Sequence, residues 1–128
     1  MICPKCNCEM KEIEAKLFSA LKCTGCAGIW FRDGSHELAR SIADAGDIDS
    51  NPDQENAGYN DIRDIDCPEC HKKTIKMIDR AQLHIEFEAC TYCRGVFFDC
   101  GEFKDLTEFT FAERIKQAIS TLKSNLNT

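Results

Sequence analysis

Apolar and polar side chains alternate most clearly in the second half of the chain. Over residues 83–88 every second side chain is apolar, and those between them are polar or charged. This period of two predicts a half-buried strand with a polar outer face. We expect residues 74–78 to form its hairpin partner across a turn at 79–82, and residues 96–98 to form a third strand.

The first half of the chain repeats this pattern less regularly. Its three strands are expected at residues 10–15, 18–22 and 29–31. The residues that follow, with Asp33 and Ser35 as alternative N-caps, predict a helix over 35–45. Both halves therefore have the same predicted order, which is three strands and then a helix.

The C-terminal part of the chain is expected to be helical. Asp99 and Glu102 have the spacing of a capping box, which predicts a helix start near Cys100. Thr110 and Glu113 form a second such pair, so the tail is either one bent helix or two. One helical stripe then carries the apolar residues Phe111, Ile115, Ala118, Ile119 and Leu122. Such a stripe usually packs in a core, but a body this small offers little surface to cover it, so self-association or partner docking is the alternative.

The connecting segment, residues 46–66, is poor in apolar residues and rich in Asp, Asn and Gly. We expect an extended, solvated tether, with an acidic docking segment as the alternative. The stretch from Arg40 to Asp66 has eight acidic and two basic residues, and so it carries the whole net charge of −6. Because phosphate backbones are bound mainly through Lys and Arg, this charge disfavours nucleic acid as a partner.

Eight of the ten cysteines form two matching sets of four. In each set a Cys-Pro-x-Cys pair is followed, after 16 or 19 residues, by a second Cys-x-x-Cys pair. A shift of 64 residues relates the first pairs and a shift of 67 relates the second pairs, so the three extra residues fall in the hairpin. The sets are Cys3, Cys6, Cys23 and Cys26, and Cys67, Cys70, Cys90 and Cys93.

This cysteine spacing is typical of metal sites. Two residues between cysteines let a tight turn direct both sulfur atoms to one point, and two such turns supply four thiolates, the ligand set that zinc favours. Four protein ligands leave no open position for water, so we predict two structural zinc ions per chain at these eight cysteines. Metal binding would then stabilise units too small for a full core. Disulfide pairing is the alternative.

The start of the chain indicates the cellular compartment in which the protein is expected. It reads Met-Ile-Cys-Pro-Lys-Cys, without an apolar signal-peptide core, and no later run approaches ~18 consecutive apolar residues. We therefore expect a cytoplasmic location and no membrane partner. In a reducing cytosol, cysteines at these spacings are metal ligands more often than disulfides.

Two stretches of the chain resemble a known family. Each has Cys-Pro-x-Cys and then Cys-x-x-Cys-x-Gly-(Ile/Val)-(Trp/Phe)-Phe, and the second continues with Gly-Glu-Phe at 101–103. In these motifs the chain resembles the transcription-factor-IIB-type zinc ribbons found as small bacterial proteins, in two tandem copies over residues 1–45 and 67–106. The resemblance implies a three-stranded ribbon backed by a helix, with zinc held by the four cysteines of each copy. It also suggests, by analogy alone, a transcription-related role.

The chain departs from the family pattern in two places. Gly34 opens a stretch two residues longer than the family's Gly-Glu-Leu, so we expect the first helix to start differently. Asn7 and His71 stand where a glycine often follows the second cysteine, which predicts strain in those turns. In addition, Cys8 and Cys100 fall outside the repeat. Cys8 is near enough in sequence to replace a ligand, but we expect both to be packed or free thiols.

The predicted fold is a small, metal-stabilised α+β protein with two tandem zinc ribbons, each of three antiparallel strands followed by a helix. Its expected divisions are ribbon 1 with its helix at 1–45, the acidic linker at 46–66, ribbon 2 with its helix start at 67–106, and a C-terminal amphipathic helix at 107–128. Since no nucleophile–base pair or phosphate loop stands out, we predict a protein that is not an enzyme. Its expected role is to present a surface to a protein partner.

Two other functions are alternatives. One is nucleic-acid binding, because one aromatic of each pair, Trp30-Phe31 and Phe97-Phe98, is expected to face solvent, where it could stack on a base. The other is a rubredoxin-like iron or thiol redox function, since paired cysteine turns also resemble rubredoxin iron sites. The chain lacks the glycine that follows each second cysteine in rubredoxins.

Overall fold

The structure, a computed structural model, describes residues 1–42, 48–49, 65–78 and 85–126, apart from the side chains of residues 109, 111, 114 and 126. We call residues 1–42 the first repeat and residues 65–126 the second repeat. The strands are β1 (Met10–Glu12), β2 (Ala20–Cys23), β3 (Ile29–Phe31), β4 (Ile75–Ile78), β5 (Glu86–Ala89) and β6 (Val96–Phe98). A 3-10 turn at Arg32–Gly34 leads into helix α1 (Ser35–Ala39), and helix α2 spans Glu102–Leu126.

Both repeats contribute three antiparallel strands to a single six-stranded sheet, in the order β1-β2-β3-β6-β5-β4. The two halves meet where β3 pairs with β6, in an antiparallel register that sets Trp30 opposite Phe97. These two residues occupy matching positions in the repeats, so a pseudo-two-fold axis passes between them. The α+β class is confirmed, and the two repeats pack together as one body.

The seam between β3 and β6 is packed by a ring of each repeat against a glycine of the other. A Cβ atom on Gly95 would lie 2.1 Å from Trp30 Cζ2, and a Cβ atom on Gly28 would lie 2.3 Å from Phe97 Cζ, so only glycine fits at either position. All four strand aromatics are fully buried: Trp30, Phe31, Phe97 and Phe98. The prediction that one of each pair faces solvent is therefore wrong, because pairing of the repeats covers both faces of the central strands.

Each helix begins on one repeat and packs against the other. The ring of His36 in α1 lies 5.6 Å from the ring of Phe87 and 6.0 Å from that of Phe98, both in the second repeat. The ring of Phe103 in α2 lies 4.6 Å from that of Phe31 in the first repeat. One core therefore spans both repeats. Its buried members are Ala20, Ile29, Phe31, Ala39, Ile85, Phe87, Val96, Phe98, Phe103 and Leu106.

Two polar contacts cross between the repeats at matching positions with opposite charges. Lys5 Nζ lies 2.5 Å from Asp99 Oδ1, with both side chains buried. In the matching place, Glu69 Oε1 accepts hydrogen bonds from Trp30 Nε1 at 2.9 Å and from Arg32 Nε at 3.1 Å. The positive charge comes from the first repeat in both pairs, and the negative charge comes from the second.

The outer hairpin of the second repeat follows the predicted pattern except at one residue. Glu88, expected on a polar outer face, is only 3 % exposed, and its Oε1 lies 3.6 Å from Lys5 Nζ. The prediction is wrong there because the first repeat covers that face. The predicted turn at 79–82, residues 83–84 and the predicted tether over 46–47 and 50–64 lie outside the described residues.

Both helices begin after a matching glycine, but the chain leads into them differently. Gly34 and Gly101 match in the repeats and both have positive φ, 72° and 91°, and each helix begins at the next residue. A 3-10 turn over Arg32–Gly34, with Asp33 at a φ of 46°, leads into α1, whereas residues 100–101 form a plain turn before α2. The expectation of a different start for the first helix is therefore confirmed for this lead-in. Its N-cap is Gly34, without a side-chain hydrogen bond, and neither predicted side-chain cap occupies that position. The helix ends at Ala39, before the predicted end at residue 45, and residues 43–45 lie outside the described part of the chain.

Helix α2 is one continuous helix, and a residue of the connecting segment caps its first turn. Asp49, which is buried, accepts hydrogen bonds from the backbone N–H groups of Gly101 at 3.0 Å and Lys104 at 2.9 Å. The neighbouring Ile48 carbonyl accepts a hydrogen bond from Lys22 Nζ at 2.7 Å. Burial raises the pKa of Asp49 above its usual value. This part of the predicted tether is docked on the body and not solvated.

Replacing Lys5 by methionine should destabilise both repeats together. The substitution keeps an apolar stem but leaves the carboxylates of Asp99 and Glu88 buried without the Lys5 ammonium, a loss of about 3–5 kcal/mol. Urea unfolding of the zinc-loaded protein should show one transition at a lower urea concentration. The control Lys11→Met removes an exposed lysine of β1 and should change the free energy of unfolding by less than about 0.5 kcal/mol. Separate unfolding of the first repeat would contradict the shared core.

Replacing Asp49 by alanine should remove the cap of α2. Two backbone N–H groups lose their acceptor, and the free energy of unfolding should fall by about 1–2 kcal/mol. Thermal unfolding followed by circular dichroism measures this change. The control Glu14→Ala removes an exposed acid of the first repeat and should leave the melting temperature unchanged. If both variants melt alike, the connecting segment does not dock at Asp49.

Candidate metal centres

The eight predicted ligands come together in two groups of four. In the first group, Cys3 Sγ lies 3.7 Å from Cys26 Sγ, and Cys6 Sγ lies 3.2 Å from Cys23 Sγ. The matching distances in the second group are 3.6 Å for Cys67–Cys93 and 3.9 Å for Cys70–Cys90. Within each group all four sulfur atoms lie within 4.8 Å of one another. The two groups therefore have the same arrangement under the pseudo-symmetry.

This arrangement fits zinc. A tetrahedron with metal–sulfur distances of about 2.3 Å has sulfur–sulfur edges of about 3.8 Å, and the four distances above span 3.2–3.9 Å. All ten cysteines are free, so the disulfide alternative is not the arrangement found. The chain accordingly binds two zinc ions, one in each group. When bound, zinc supplies a structural cross-link and no open position for catalysis.

Backbone N–H groups of the cysteine turns point at sulfur atoms. One sulfur in each group accepts two such hydrogen bonds at 3.2–3.4 Å: Cys23 Sγ from Gly25 and Cys26, and Cys67 Sγ from Glu69 and Cys70. Hydrogen bonds of this kind stabilise thiolate charge and fix the position of the sulfur atom. The turns thus prepare both groups for a cation.

The residue after the second cysteine of each turn has a left-handed backbone. The φ angles are 63° at Asn7, 60° at Ala27, 60° at His71 and 62° at Arg94. The predicted strain at Asn7 and His71 is confirmed, and it extends to the other two turns. A non-glycine residue in this region costs about 1–2 kcal/mol, so the metal must hold each turn against its own backbone preference.

In the absence of a metal ion, the thiols of the first group differ widely in pKa. A hydrogen bond from the Cys26 thiol lowers the pKa of Cys3 to about 5, and the same contact raises the pKa of Cys26. Burial raises the pKa of Cys23 to about 11. One thiolate is therefore favoured and its neighbours keep their protons. A divalent cation offsets the crowded negative charge, and the remaining protons are released on binding.

The two cysteines outside the repeat are half-buried free thiols. Cys8 lies beside the first group, where its hydrogen bond to Cys6 and the charge of that sulfur raise the pKa of Cys8. Burial, followed by the Asp49 carboxylate, raises the pKa of Cys100. A reactive cysteine needs a lowered pKa, so neither thiol has the electrostatics of a redox centre. The expectation of packed or free thiols is confirmed.

Sequence reasoning missed the residues that hold the two centres against each other. Lys5 and Glu69 lie inside the two Cys-Pro-x-Cys turns, and each reaches across to the other repeat. The sequence did contain a sign of these contacts. The two repeats carry opposite charges where Lys5 matches Glu69, and again where Arg32 matches Asp99. Asp49 offered no such signal, since it is one of many acids in its segment.

Comparison with known families adds one finding to this geometry. A family model described as transcription factor zinc-finger (Zn_ribbon_TFIIB) matches residues 2–43 and 66–108. The two segments confirm the tandem copies, and each contains one group of four cysteines. No curated protein and no solved structure matches the chain. Within the described part of the chain, no helix combines the length and the apolar character needed to cross a membrane.

Replacing Cys26 by serine should reduce the bound zinc from two ions per chain to one. Because both repeats share one core, the melting temperature of the whole protein should fall, and not only that of the first repeat. Elemental analysis and calorimetry of protein purified without added metal measure the two effects. Cys100→Ser, outside both groups, is the control and should retain two zinc ions. Iron in place of zinc would support the rubredoxin-like alternative, and a second repeat of unchanged stability would contradict the shared core.

Proposed function

Since the chain belongs to the transcription factor zinc-finger family, whose model matches most of its length, we propose that it is a non-enzymatic protein-interaction module. Two structural zinc ions hold a rigid body together, and that body presents the long helix α2 to a protein partner. The observation that supports this proposal is a stripe of apolar side chains on the outer half of α2. We call Ile115, Ile119 and Leu122 the helix stripe.

The helix stripe is exposed to solvent. Its side chains are 61 %, 48 % and 62 % exposed, whereas Phe103 and Leu106 in the first turns of α2 are fully buried. The spacing of four and then three residues places all three on one side of the helix. Phe111, a further member of the predicted stripe, has a side chain outside the described part. A helical segment as short as the outer half of α2 is marginal in water on its own, so a partner on the apolar side would stabilise it.

The partner that needs the fewest assumptions is a second copy of the chain. Each copy brings the same helix stripe, and burial of about three large apolar side chains per copy contributes roughly 1.5–3 kcal/mol for each. Closed two-fold pairs are the commonest assembly of identical chains. A different protein with an apolar groove would also bury the helix stripe.

The alternatives drawn from the sequence have less support. Nucleic-acid binding relied on exposed strand aromatics, and those four side chains are buried. The net charge of −6 also opposes a phosphate backbone. A thiol redox role for Cys8 and Cys100 has little support, because a reactive thiol needs a lowered pKa and theirs are raised.

Two further parts of the proposal come from the family description and from the thiol chemistry. The description as a transcription factor zinc-finger supports a transcription-related partner, by analogy and not by any contact. Ten free cysteines suit a reducing compartment, where thiolate ligands persist, so we place the protein in the cytoplasm.

Replacing Ile119 by glutamate should abolish association through the helix stripe. A charge there cannot be buried in an apolar contact without a large loss, while both zinc ions should stay bound. Sedimentation velocity should show the wild-type chain as a dimer and Ile119→Glu as a monomer. Ser120→Glu, the neighbouring exposed position, is the matched control and should stay dimeric.

A second measurement covers partners other than the chain itself. A photo-cross-linking amino acid at position 119 should capture a protein in cells, whereas the same amino acid at position 120 should capture much less. A monomeric wild-type chain together with no cross-linked protein at position 119 would refute the proposed function.

A further inference from the structure

The second repeat carries an open apolar groove of about 650 Å³ on the face of the sheet next to α1. Its apolar lining consists of Ile78 at one end and five residues that we call the β4 groove: Ile75, Met77, Phe87, Ala89 and Val96. Ile75 and Met77 are 47 % and 40 % exposed, although they lie on a strand. Four of these five residues come from the outer two strands, β4 and β5, so the groove opens toward the edge of the sheet.

The matching place on the first repeat is filled, and two of its five positions carry lysine. By the repeat shifts, Ile75 corresponds to Lys11 and Ala89 to Lys22. Lys22 is bonded to the Ile48 carbonyl, and Ile48 packs against the core beside it. The same surface of the fold is therefore filled by a chain segment with an apolar side chain on one repeat. On the other repeat, no segment of the described residues fills this surface, and Lys11 and Lys22 are replaced by Ile75 and Ala89.

The groove is continuous with the surface that α2 already covers. Phe87 and Val96 line the groove and also belong to the core on which Phe103 and Leu106 of α2 pack. A helix with apolar residues three positions apart is thus one element that this core already binds. The outer half of α2 is such a helix, and at 1.5 Å per residue its 25 residues extend about 37 Å.

We propose that two copies of this chain exchange their C-terminal helices, with the helix stripe of each copy seated in the β4 groove of the other. The inference rests on the proposed function and names the surface that the helix stripe binds. Reciprocal exchange makes two identical contacts and closes the assembly at two copies, since both complementary surfaces are used up.

The charges near both surfaces suit an apolar contact. At the rim of the groove, Arg40 just after α1 lies 3.6 Å from Glu37, and Arg94 lies 2.6 Å from Asp33. Both arginines are ion-paired, so the rim offers little net charge.

The helix stripe is flanked by Ala112 and Ala118 and by two lysines, Lys116 and Lys123. Lys116 Nζ lies 3.9 Å from Glu113 Oε1, so its charge is partly offset. Recognition then depends mainly on shape and apolar burial, and the dissociation constant of the dimer should change little with salt.

The test compares a groove variant with a helix variant. Met77→Asp and Ile119→Glu should each raise the dissociation constant of the dimer by about tenfold or more in sedimentation equilibrium. Lys76→Ser is the matched control, because it lies on the same strand with its side chain on the opposite face, and it should dimerise as the wild type does. Zinc content and circular dichroism check that each variant is folded.

Mixing the two variants separates exchange from other dimers. In an equimolar mixture, the intact groove of Ile119→Glu can receive the intact helix of Met77→Asp, so one of the two contacts forms and dimer should reappear. If Met77→Asp dimerises like the wild type, the helix stripe binds elsewhere and the inference is overturned while the proposed function stands. If Met77→Asp weakens the dimer and Ile119→Glu does not, the inference is also overturned, because the two copies would then pair through their strand edges.

A mapping experiment does not depend on how well a groove variant folds. A photo-cross-linker at position 119 of the zinc-loaded wild-type chain should attach to residues 75–77 or Phe87 of a second copy, as identified by mass spectrometry of the cross-linked peptides. Cross-links between position 119 and α2 of the second copy would overturn the inference in favour of a helix–helix seam. Cross-links to a different protein alone would overturn it and leave the proposed function intact.

Discussion

The pairing of β3 with β6 is the contact on which the rest of this structure depends. A single repeat has three short strands and the start of a helix, too little apolar surface for a core of its own. Pairing through Trp30 and Phe97 makes one sheet of six strands and allows each helix to cover strands of the other repeat. The zinc ions act locally, by joining two turns of one repeat, while the seam fixes one repeat against the other. Neither the zinc ions nor the seam would be sufficient alone to hold the fold.

Opposite charges at matching positions determine which repeats can pair. Two copies of the first repeat joined through the same seam would set Lys5 against Arg32, and two copies of the second would set Glu69 against Asp99. Buried or half-buried like charges oppose such pairs by several kcal/mol. The unlike pairing within one chain satisfies all four charges. The tandem arrangement therefore specifies its own partner inside the chain, and the surface left for other partners must lie away from the seam.

Local features could be predicted from the sequence, and features that depend on the second repeat could not. Two residues between cysteines determine a turn wherever they occur, so the two groups of sulfur atoms and the strand order followed from spacing and alternation. Burial of Glu88 and Trp30 depends on what lies across the seam, and a pattern within one repeat contains no information about that. Asp49 was missed for a related reason, because the N-terminus it caps belongs to a helix 52 residues further on.

The two repeats have matching residues where a metal site or close packing requires them, and different residues at the outer positions. Cysteines, seam rings and seam glycines match because a change at any of them opens a metal site or creates an overlap of atoms. The outer positions carry no such constraint, and there the first repeat has Lys11 and Lys22 where the second has Ile75 and Ala89. The helices differ in the same way, with five residues in α1 and 25 in α2. Among the strands, the exposed large apolar side chains thus lie on β4, and among the helices they lie mainly on α2. Such surface is unfavourable in water unless something covers it, and this is why binding, and not chemistry, is the function that the asymmetry supports.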